Sequence, residues 1–111
     1  MTEAPNIIIA SEAGLGLRSA RDIPDLIGAT FGAEGLLLTE NDLSPEFFDL
    51  RTGLAGEAFQ KFTNYGVKVA LVIPDPAAYG KRFAELAYEH AWHNLIRFFR
   101  AEAEAKAWLS R

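Results

Sequence analysis

The sequence predicts a single α/β domain: a mixed, largely parallel sheet of four to five strands, covered by about four helices. Three observations predict it. Residues 36–39 and 67–73 form short, almost continuously apolar runs, the pattern of strands buried on both faces. Stretches with helical spacing alternate with such runs, most clearly over 51–64. The chain has 111 residues and no visible linker or repeat, which leaves room for one domain spanning 1–111.

Residues 6–10 read as the first strand. Gly14 turns the chain, and Leu15 to Leu17 reads as a second short strand closing an antiparallel hairpin. A helix opens at Asp22, whose carboxylate can cap free amides, with Pro24 tolerated in the first turn. Ile23, Leu26, Ile27 and Phe31 line one of its faces, and Gly32 or Gly35 ends it. After the strand at 36–39, Ser44 and Pro45 have the form of a cap and first helical position, opening a short turn through Phe47 and Phe48. The longest helix is expected over 51–64, with Leu54, Ala55, Ala58, Phe59 and Phe62 on its apolar face. Gly66 stops it before the strand at 67–73. Asp75 and Pro76 open a third helical region through His90, with Gly80 as its weak point, and a strand at 95–99 precedes a last helix at 101–109. The runs 36–38 and 69–73 are expected at the centre of the sheet and adjacent, because the flanking runs are only half apolar.

Composition excludes several classes. With no cysteine, the chain has no disulfide framework, no thiol nucleophile and no cysteine-ligated metal. Fifteen acids against eleven Lys and Arg give −4, which argues against a nucleic-acid binder. No apolar run is long enough to span a bilayer, and the opening residues lack the pattern of a signal peptide, so a cytoplasmic location is expected. Nine acids but only Arg18 and Arg21 as bases fall within residues 1–50, an imbalance that describes two faces of one fold.

Four constellations carry chemistry on paper. Gly14, Gly16 and Ser19 follow a strand as a dinucleotide fingerprint would, but the third position is not glycine, and a hairpin turn explains the glycines without a ligand. His90 and His93, three apart beside Glu89, share one helix face and could offer two metal ligands; a third would have to come from elsewhere, and histidine suits a helix C-terminus anyway. Glu40, Asp42, Asp49 and Asp75 all emerge at the carboxyl edge of a parallel sheet, where a divalent cation such as Mg²⁺ could use their oxygens; the plainer reading makes Asp49 and Asp75 helix caps. Thr52, set between Arg51 and Gly53 with Asp49 nearby, is placed for phosphorylation at a helix N-terminus. Its plainer reading is a cap, with Gly53 and Gly56 allowing close packing on the sheet.

The stretch 45–57, continued by Gln60 to Tyr65 and Val67 to Val72, resembles a small bacterial family, domain-of-unknown-function family 4180, and the likeness runs collinearly along the chain. Around Thr52, Gly53 and Leu54, followed by the strand at 67–72, the pattern is also similar to anti-sigma-factor-antagonist (STAS) domains. That likeness implies a STAS-like fold with a phosphorylatable hydroxyl at the position of Thr52, although Arg51 stands where those domains carry a second hydroxyl. Two functions follow as expectations. One is a non-enzymatic regulatory or protein-interaction module acting through the surface around Thr52, with no cofactor. The other is a small metal-dependent enzyme or ligand-binding protein using the four acids. Thirteen aromatics, among them Phe47, Phe48, Trp92, Phe98 and Phe99, exceed what a core this small readily hides, so a homodimer is expected as well.

Overall fold

The computed structural model describes residues 6–111; residues 1–5, which open the segment read above for a signal peptide, lie outside them. Four strands form one sheet: β1 (Ile7–Ile9), β2 (Gly35–Thr39), β3 (Val69–Val72) and β4 (Ile96–Phe99). Their order is β1-β2-β3-β4 and every neighbouring pair is parallel, with Leu37 opposite Ala70 and Ala70 opposite Arg97. The two unbroken apolar runs therefore occupy the centre, side by side, as their composition predicts. Five helices accompany the strands: α1 (Ile23–Ala29), α2 (Pro45–Phe48), α3 (Leu54–Asn64), α4 (Lys81–Glu89) and α5 (Glu102–Leu109).

The antiparallel N-terminal hairpin does not form. Residues 10–15 close a turn on the end of β1, where the Leu15 N–H donates to the Ala10 carbonyl at 2.8 Å. The chain then joins the loop after β2. Leu17 makes one parallel bridge to Leu43, and its N–H donates to the Asp42 carbonyl at 2.8 Å.

Each crossover between neighbouring parallel strands steps the same way along the sheet, so right-handed connections put α1, α3 and α4 on one face. The core agrees. Leu36 and Leu38 of β2, with Val69 and Leu71 of β3, pack with Leu26 of α1, Phe62 of α3 and Phe83 of α4. The alternate residues Leu37, Ala70 and Val72 face the other way, onto Ala105, Trp108 and Leu109 of α5. Lys68 clamps α5 in place: its ammonium donates to the Trp108 carbonyl at 2.8 Å and lies 4.6 Å from the Trp108 ring centre. Burial is the main influence holding that ammonium below its ordinary range, with Arg111 and Arg97 adding to it. No helix among the described residues is long and apolar enough to cross a membrane.

The long helix begins later than its apolar spacing suggests. Gly53 has φ of 80°, a left-handed conformation that glycine adopts without steric cost. That residue separates a 3-10 turn at Leu50–Thr52 from α3. Space for close packing is not its role, nor that of Gly56: a β-carbon built on either would meet nothing within 4 Å. The region after β3 is likewise divided, into a 3-10 turn at Pro76–Tyr79 and α4, with Gly80 between them.

Candidate functional site

The long connection from β2 to α3 and the connection from β3 to α4 meet above the carboxyl edge of the sheet. Where they meet lies an open groove of about 830 Å³, lined by Glu40, Leu43, Phe48 and Leu50 from the first stretch and by Tyr79, Arg82 and Phe83 from the second. Ser44 caps α2 by accepting from the Phe47 N–H at 3.3 Å, and its own hydroxyl donates to the Arg18 carbonyl. This short helix splits its two aromatics. Phe47 is fully buried and packs edge-on to Phe59 and Phe83, which removes it from the expected aromatic surplus. Phe48, half-buried, stacks on Tyr79 with ring centres 3.6 Å apart and planes 6° from parallel. The Tyr79 hydroxyl donates to Glu40 Oε2 at 2.6 Å. That bond, with burial and the carboxylate charge, holds the phenol above its ordinary range.

At the rim, the Arg51 guanidinium makes two bonds to the Asp49 carboxylate, at 3.0 and 3.1 Å. The Arg51 N–H also donates to Asp49 Oδ1. These contacts hold the Asp49 carboxyl below its ordinary range and raise the guanidinium. This is the only ion pair among the described residues, so Lys81 and Arg82, exposed in the first turn of α4, have none.

The four acids reach the carboxyl edge but do not gather. Glu40 is held by Tyr79, and Asp49 by Arg51. Asp42 is 5 % exposed and accepts from the Thr39 N–H and hydroxyl, at 2.8 and 3.0 Å, closing the turn after β2. Asp75 starts its turn through its backbone carbonyl, which accepts from Ala78; its side chain makes no capping bond. Among the described residues no three His, Asp or Glu side chains form a group able to hold a metal ion.

Thr52 is exposed, yet its hydroxyl is fully engaged. It donates to the Glu46 carbonyl at 2.7 Å, with the Asp49 carbonyl at 2.9 Å, and accepts from the Leu54 N–H at 3.2 Å. One side chain thus joins α2, the 3-10 turn and the first turn of α3. Arg51, the residue that would have met a phosphate, is already neutralised by Asp49.

The two histidines lie with ring centres 5.1 Å apart, His90 as the cap of α4 and His93 beyond it. His93 Nδ1 accepts from the Leu95 and Ile96 N–H groups, at 3.1 Å each. The proton of the neutral ring is therefore on Nε2, leaving no lone pair there for a metal. The glycine pattern near the N-terminus also has a packing explanation: a β-carbon on Gly16 would stand 2.9 Å from the Asp42 carbonyl oxygen.

Phe48, Tyr79 and Arg82 escaped the sequence reading as site residues. Phe48, named there only among the surplus aromatics, lies about thirty positions before the other two, and the linear signal was the extra turn at 44–48. No curated protein and no solved structure matches the chain. The likeness to anti-sigma-factor antagonists therefore rests on sequence pattern. The family model described as a domain of unknown function, DUF4180, matches residues 2–109, and the chain belongs to that family.

Proposed function

We propose that this protein is a non-catalytic interaction module, and that its groove seats a segment of a partner protein carrying an acidic residue beside an aromatic or aliphatic one. The observation that carries this reading is the stacked Phe48–Tyr79 wall with Arg82, and Lys81 beside it, unpaired at the rim. The wall offers an apolar seat. Asp49 is neutralised by Arg51, and Glu40, which keeps its charge, is hydrogen-bonded by Tyr79; with Lys81 and Arg82 unpaired, the net charge of the lining is positive. The resemblance of the segment around Thr52 to anti-sigma-factor antagonists supports the same class, a regulatory module of signalling. Thr52 serves this reading as the pin that fixes the groove's α2 side.

Amide chemical-shift mapping with an N-acetylated acidic–aromatic tetrapeptide tests the reading, with the same peptide bearing lysine for its acids as control. Shifts confined to residues 40–51 and 79–83, and larger for the acidic peptide, are expected. No shifts at millimolar peptide, shifts elsewhere, or equal shifts with the lysine peptide would overturn it.

A further inference from the structure

We infer that the outer face of α4 seats a second copy of this chain, the two helices packing antiparallel about a two-fold axis. Phe83 and Ala87 turn α4 inward, onto the core. The opposite side presents Lys81, Glu85 and Tyr88, at spacings of four and three residues; Trp92 lies beyond the helix, in the turn that follows it, with its ring centre 5.8 Å from the Arg97 guanidinium. Tyr88 and Trp92 are each 83 % exposed, large apolar surfaces that a monomer leaves in water.

The order of charges along α4 points to what covers them. Lys81 and Arg82 stand in the first turn, beside the positive end of the helix dipole, whereas Glu85 and Glu89 follow toward the negative end. Both signs are misplaced for an isolated helix, and the basic residue preceding the acidic one by four is the weaker of the two pair orientations. A second α4 running the opposite way answers both faults. It brings acids to the basic end of its neighbour, basic residues to the acidic end, and opposes the two dipoles.

The shape of this face is self-complementary too. Tyr88 stands between two shallow grooves, one of about 320 Å³ bordered by Ala84, Ala87, Ala91 and Phe98 and one of about 370 Å³ bordered by Lys81, Ala84 and Glu89. A projecting ring beside one groove bordered by alanines and one bordered by charged residues is what an isologous contact can use, since each copy supplies both knob and recess. Lys81 also borders the groove above the sheet, so the two readings share that residue, and sedimentation without peptide reads the contact between copies alone.

Sedimentation velocity on the wild type, Glu89→Lys, Lys81→Glu and an equal mixture of the two variants tests it. Each substitution restores the charge order a lone helix prefers, so neither variant should lose stability. The wild type is expected at twice the 12.2 kDa chain mass. Each variant alone should dissociate at concentrations at least about tenfold higher, a change of about 1.4 kcal/mol. The mixture should recover the dimer, because every facing pair in a mixed dimer is again opposite in sign. A monomeric wild type, variants that dimerise unchanged, or a mixture no tighter than its components would overturn the proposal.

Discussion

His93 shows how one ring nitrogen can organise a strand. Its Nδ1 accepts two consecutive amides at the entry to β4, and the Arg97 Nε–H donates to its carbonyl at 2.7 Å. Burial is the main influence that lowers its proton affinity, with His90 and Arg97 adding to it. A histidine whose folded value lies below the unfolded one, about 6.5, binds more protons unfolded than folded within that window. Stability from this site is therefore fully present above about pH 6.5 and falls as pH drops through the folded value. Asn at this position keeps an acceptor oxygen in place of Nδ1 and removes the titration. In urea unfolding at pH 5 and 8, His93→Asn should flatten the loss that the wild type shows at pH 5. His93→Ala should lose about 1–3 kcal/mol at pH 8, because two amides lose their acceptor, and less at pH 5, where the wild type has already given up part of that contribution. A wild-type loss unchanged in the Asn variant would remove His93 as its source. The sequence showed the His-x-x-His spacing and the helix end near it. It could not show which nitrogen each backbone group would occupy, and that decides against the metal.

At the scale of elements, the strands were the most legible because burial on both faces leaves them no polar alternation to blur. The N-terminal hairpin was misread for a related reason. Leu15 and Leu17 have strand-like alternation, but Leu17 spends it on Leu43 and buries its side chain completely in the loop beside β2. The start of α3 was misplaced because Leu50, Arg51 and Thr52 are compatible with helix, and only the left-handed Gly53 separates them. Thr52 is the tie across that break. Thr52→Ala should cost about 1 kcal/mol, the usual loss for a cap, whereas Thr52→Ser, retaining the hydroxyl, should stay within about 0.5 kcal/mol. Thr52→Glu should behave like Ala, since a carboxylate cannot donate to the Glu46 carbonyl. Thermal melts measure all three, and amide exchange at Leu54 should quicken only in Ala and Glu. Equal melts for Ala and wild type would show that the hydroxyl does not hold the break.

For the whole molecule, the α/β class, the strand count and the central pair were readable, while the uniform parallel order was not. Parallel pairing of β1 and β2 depends on α1 crossing the face of the sheet, a long-range event without a local signature. The same holds for the site. Thr52, Arg51 and Asp49 stand out in one stretch of sequence and do meet, but as a structural pin and a closed ion pair. The groove beside them exists only because the topology carries residues 79–83 to the same edge as 40–51. Its charge is the account's central claim, and Arg82 tests it without harming the fold, since an acidic residue in the first turn of a helix suits the dipole. Binding isotherms for the acidic–aromatic tetrapeptide and its lysine counterpart, on wild type and Arg82→Glu, make the comparison. The account predicts that wild type favours the acidic peptide by at least about tenfold, or 1.4 kcal/mol, and that Arg82→Glu abolishes or reverses this preference at unchanged stability. An Arg82→Glu variant that binds the acidic peptide as tightly as wild type would contradict it.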